Sequence, residues 1–74
     1  MTDAATAPIM LRCRALFEVS RMSLEELGLK MGYKDMTARK SAWQFLRQAN
    51  APRVSMLRKF ARAVGLSLRE VLEG

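Results

Sequence analysis

The chain has 74 residues, half of them hydrophobic and about a quarter charged, with 13 Lys and Arg against 7 Asp and Glu, for a net charge of +6. It reads as one small domain, near the lower size limit for a core that folds without disulfide, metal or partner, and not as a largely disordered chain. With one cysteine, Cys13, and no histidine, the sequence offers no intramolecular disulfide and no usual zinc spacing.

Residues 1–8 lack the basic-then-apolar layout of a signal peptide and are expected to form a flexible tail, with 9–74 as the folded domain. No apolar run reaches the roughly 18 residues that span a bilayer, so a cytoplasmic protein is expected. From Pro8 onward, Ile9, Cys13, Leu16, Phe17 and Ser20 recur at helical spacing, with Arg12, Arg14, Glu18 and Arg21 on other faces. This predicts a first amphipathic helix, with Cys13 as a small buried hydrophobe.

Ser23 and Glu26 form a capping box that opens a second helix, in which Leu24, Leu27 and Met31 face the core and Gly28 admits a close neighbour. Gly32 supplies a left-handed terminus, and Tyr33 reads as a core or turn anchor. A third helix follows, around Thr37 to Gln48, with Asp35 or Thr37 as its N-cap. Ala38, Ala42, Phe45, Leu46 and Ala49 share one stripe; Lys40, Gln44 and Arg47 lie nearly opposite, and Arg39 and Trp43 on a flank. Asn50, Ala51 and Pro52 break this helix. Ser55 opens a fourth, with Leu57, Phe60, Ala61 and Val64 inward and Gly65 at its end. A second capping box, Ser67 and Glu70, begins a short fifth helix carrying Leu68, Val71 and Leu72. The predicted fold class is all-α, with five short helices.

Charge is concentrated in the middle of this layout. From Lys30 to Arg62 there are nine basic residues and one acid, Asp35, a net +8 against +6 for the whole chain. Such a field in a small domain favours phosphate, since neutralising phosphates releases condensed counterions. Arg58, Lys59 and Arg62 fall on the outer side of the fourth helix and are left out of the candidate site. The six methionines read as gap fillers, and the two Ser/Glu pairs as caps and not as catalytic couples. With no histidine base, metal cluster or glycine-rich phosphate loop, neither an enzyme nor a metal or cofactor is expected.

Met22-Ser23-Leu24-Glu25-Glu26-Leu27-Gly28, Met31-Gly32-Tyr33 and the run from Pro52 to Leu68 resemble the Cro/C1-type, lambda-repressor-like helix-turn-helix family. The resemblance covers Met22 to Leu72. The family usually has a small residue such as alanine where Gly28 stands, a polar residue where Leu24 stands, and often a glutamate where Leu46 stands. Aligning Ala42 and Phe45 with the family's buried positions leaves roughly one extra helical turn after Gly32, which either lengthens the turn or extends the third helix at its N-terminus.

The resemblance implies that the third helix reads duplex DNA in the major groove. Lys40, Gln44 and Arg47 lead the base-reading candidates because they project from the core stripe; Arg39, Ser41 and Trp43 complete the set. Trp43 either contacts DNA or covers the edge of the core. Lys34, Thr37 and Arg53, near helix ends, are the phosphate candidates. The implied function is transcriptional regulation, as a repressor, by a homodimer for which Leu68, Val71 and Leu72 offer an apolar surface. The alternative is the antitoxin of a toxin–antitoxin pair, with a toxin as protein partner.

Overall fold

The computed structural model describes residues 6–73. It comprises α1 (Pro8–Ser20), α2 (Leu24–Lys30), α3 (Asp35–Arg47), α4 (Val54–Ala63) and α5 (Leu68–Glu73), with no strand among the described residues. None of these helices is long and apolar enough to cross a membrane.

Two glycines terminate helices as predicted, and for a backbone reason. At the end of α2, Gly32 has φ +102°, its N–H donates to Leu29, and the Tyr33 N–H reaches back to Gly28. At the end of α4, Gly65 has φ +77°, with its N–H on Arg62 and the Leu66 N–H on Ala61. Both pairs are Schellman closures, which require a residue past the helix end in a conformation that costs glycine little. α1 ends on Arg21 at φ 61°, a left-handed residue with a side chain.

Helix starts are less uniform. The Ser67/Glu70 box is complete: the Ser67 N–H donates to the Glu70 carboxylate at 3.0 Å and the Glu70 N–H to Ser67 Oγ at 3.1 Å. The Ser67 backbone donor holds the Glu70 carboxyl below its ordinary value. The Ser23/Glu26 box is only half formed. Ser23 Oγ accepts from the Glu26 N–H, whereas the Glu26 carboxylate lies 3.4 Å from Lys30 Nζ, one turn onward. α4 begins one residue before Ser55, with Arg53 at the N-cap and no side-chain cap.

The core joins all five helices. Met10 and Cys13 of α1, Leu27 and Met31 at α2, Ala42, Phe45 and Leu46 of α3, Leu57, Phe60, Ala61 and Ala63 of α4, and Val71 of α5 form one buried cluster. Phe45 and Phe60 stack at 5.5 Å between ring centroids and fasten α3 to α4. Tyr33 anchors the turn as expected, its hydroxyl 3.8 Å from Met56 Sδ. Cys13 is fully buried, and burial pushes its thiol up to about 11, against a smaller downward pull from Arg12.

Several expectations are corrected. Ala49 is exposed, because α3 ends at Arg47 and the chain leaves the helix before reaching it. Met10 and Ala63 belong to the core although the periodicity did not single them out. Arg12 and Arg14 do not simply face solvent. Arg12 donates to the carbonyls of Val71 (2.7 Å) and Glu70 (3.1 Å), and Arg14 to those of Leu46 (2.6 Å) and Gln48 (3.2 Å). Each guanidinium thus serves free C-terminal carbonyls, of α5 and α3 respectively, and ties α1 across both. The tail is fixed at its inner end: Thr6 is buried, Ala7 donates to the Ala49 carbonyl, and Pro8 is the first residue of α1. The rest of the tail, residues 1–5, lies outside the described residues.

Candidate nucleic-acid interface

The site is built on the pairing of α2 with α3. The four residues Met31 to Lys34 connect them, and Gly28 on α2 faces the backbone of Ala38 on α3. A Cβ at position 28 would overlap the Ala38 carbonyl and stand 2.7 Å from Ala38 Cα. The close helix approach read from Gly28 is therefore present, and the neighbour is the first half of α3.

α3 begins earlier than either predicted N-cap allowed. Lys34 occupies the N-cap with extended backbone and no side-chain cap bond, and Asp35 is already the first helical residue. Thr37 Oγ1 donates to the Lys34 carbonyl at 3.3 Å instead of capping. The residues from Asp35 onward therefore belong to α3 and not to the turn that follows Gly32. Ala38, in the first turn of α3, packs closely against Gly28.

Ala38, Ala42, Phe45 and Leu46 are buried along one side of α3. At about 100° per residue, Met36, Lys40, Trp43 and Arg47 form a ridge on the opposite side, with Gln44 beside it and Arg39 on the flank. Arg39, Lys40, Gln44 and Arg47 are exposed, while Ser41 is half-buried toward the core side. Trp43 is 46% exposed, and the Arg47 guanidinium lies 4.5 Å from its ring centroid. Stacking of this kind contributes about 0.5–1 kcal/mol at exposed sites.

The phosphate candidates occupy helix starts. Lys34 is the N-cap of α3 and Arg53 the N-cap of α4, both exposed, and neither helix has a side chain capping its first turn. Among the described residues the ion pairs are Lys30 with Glu26 and Arg69 with Glu73. Lys34, Arg39, Lys40, Arg47 and Arg53 take part in neither.

Basic residues of the segment 30–62 line two clefts. Leu24, at the start of α2, joins Met36, Arg39, Lys40 and Trp43 around an open cleft of about 420 Å³. Lys30, Met31 and Gly32, at the other end of α2, join Arg58, Lys59 and Arg62 around a second cleft of about 250 Å³. The gap-filling role expected of the methionines does not hold for Met36, which is 97% exposed. Its spacing of four and seven residues from Lys40 and Trp43 was the available signal.

Comparison with protein-family models, with curated proteins and with solved structures found no match.

Proposed function

We propose that this protein is a sequence-specific double-stranded DNA-binding transcriptional regulator of the Cro/C1 helix-turn-helix type, acting as a repressor with α3 in the major groove. The observation that carries this reading is the two-sided character of α3. One side is buried in the core, and the other presents Lys40, Gln44 and Arg47 with no acid and no ion pair among the described residues. A helix so mounted offers guanine-pairing and adenine-pairing side chains on a rigid support. Lys34 and Arg53 stand at helix N-termini, where backbone N–H groups and cationic side chains together suit phosphate oxygens.

Repression requires only occupancy of a promoter, and a homodimer on an inverted repeat would set two α3 helices about one turn of DNA, roughly 34 Å, apart. Val71 is fully buried in the chain's own core, so an α5 self-association surface reduces to Leu72, 52% exposed, with half-buried Leu68. The test is a set of three alanine substitutions read against salt. Gln44→Ala or Lys40→Ala relaxes discrimination at one base pair by about 1–3 kcal/mol. Arg53→Ala weakens all sequences alike and lowers the salt slope by about one. Equal losses on every sequence from all three changes would contradict the assignment of base readers.

A further inference from the structure

Met36 is the most exposed large apolar side chain among the described residues, at 97%. The other described methionines behave as core material: Met10 and Met31 are buried, and Met22 and Met56 pack against the cluster. Met36 stands alone on the first turn of α3, on the ridge that also carries Lys40, Trp43 and Arg47. Its exposure contributes nothing to folding, so the fold does not account for an apolar residue there.

The cleft around it is divided in character. Leu24, Met36 and Trp43 supply apolar surface, and Arg39 and Lys40 supply two cations with no ion pair among the described residues. An apolar protein surface docked there would strip water from Arg39 and Lys40 without replacing it. A polyanion presenting a small apolar group would match both halves. Among the base edges of the major groove that apolar group is the 5-methyl of thymine, with phosphates to either side. The N-terminal residues of a groove-bound recognition helix contact base edges, and Met36 is the second residue of α3.

We propose that Met36, flanked by Leu24 and Trp43, is a specificity-determining residue that takes thymine 5-methyl groups, so that each half-site carries thymine opposite the first turn of α3. This rests on the DNA-binding reading above. Methionine suits the role because its unbranched, flexible thioether follows a methyl across a groove that bends and breathes.

The test uses the best duplex selected from a random pool and its variants in which single thymines are replaced by deoxyuridine, which removes the methyl and leaves charge and pairing unchanged. Each is titrated with wild-type protein and with Met36→Ala at fixed salt. For the wild type, uracil at one or two positions lowers affinity about three- to fivefold, the equivalent of burying a single carbon, ~0.8 kcal/mol. Met36→Ala binds the thymine duplex more weakly by a similar factor, is indifferent to uracil at those positions, and keeps the same salt slope and melting temperature. Specific binding that is blind to every thymine methyl, or a uracil penalty unchanged in Met36→Ala, would overturn the inference while leaving the DNA reading intact. A wild type that binds no duplex better than a scrambled one would overturn both.

Discussion

Replacing Gly28 by alanine sets two physical effects against each other, and the structure decides which prevails. In an isolated helix the change is favourable by about 1 kcal/mol, because glycine loses more backbone freedom and alanine is the best helix former. Here the new Cβ would overlap the Ala38 carbonyl and stand 2.7 Å from Ala38 Cα, well inside ordinary contact. The obstacle is backbone, so no rotamer change relieves it. α2 and α3 must separate by about 1 Å to restore a carbon–carbon distance near 3.5–4.0 Å. That movement loosens the buried cluster, which includes Leu27 and Met31 at α2 and Ala42 and Phe45 of α3. Overpacking costs about 1–3 kcal/mol in general, and a backbone contact belongs at the upper end. After the helix-propensity gain, Gly28→Ala should destabilise the domain by about 2 kcal/mol. For a domain of this size that lowers the melting temperature by about 8–16 °C. Thermal unfolding followed by far-ultraviolet circular dichroism measures it directly. Adding Ala38→Gly should not rescue the variant, because the clash is with the main chain. A Gly28→Ala protein that melts at or above the wild-type temperature would refute the close α2–α3 approach.

Two further predictions concern α1. Arg14→Ala removes both guanidinium bonds to the carbonyls of Leu46 and Gln48 and should cost about 1–2 kcal/mol in denaturant unfolding, with Arg14→Lys recovering less than half. The Cys13 thiol, held near 11 by burial, should make stability pH-dependent in alkali. Its folded value lies above the unfolded one, so this contribution is complete below about pH 9, falls as the unfolded thiol ionises, and is lost as pH rises through about 11. The loss is on the order of 2 kcal/mol, and a Cys13→Ala variant should show a correspondingly flatter alkaline limb in parallel urea titrations.

What could be read from the sequence was local. Gly32 and Gly65 announced their left-handed closures, Ser67 and Glu70 their mutual cap, and the period of α3 its buried face, because each signal lies within one or two turns of its effect. What escaped was set by distant parts of the chain. The start of α3 has no side-chain cap, and its first turn carries Ala38, which meets Gly28 ten residues earlier, so neither Asp35 nor Thr37 marked it. Arg12 and Arg14 cap helices 59 and 32 residues away, pairings that no local pattern contains. Within the candidate site, Lys40, Gln44 and Arg47 were legible as the face opposite the core. Met36 was not, since the sequence pattern does not distinguish an exposed methionine near a helix start from a packed one, and only its 97% exposure separates it from Met31. The two clefts likewise follow from the course of α2, whose start lies beside Arg39 and Lys40 and whose end lies beside Arg58, Lys59 and Arg62.

The most direct test of DNA recognition by α3 is selection of bound duplexes from a random DNA pool at near-physiological salt, followed by titration of the winner against a scrambled duplex. The account predicts a defined motif, arranged as an inverted repeat, bound at least about 10³-fold more tightly than the scramble. Salt-sensitive binding with no motif would contradict it and leave the basic surface as a nonspecific electrostatic one.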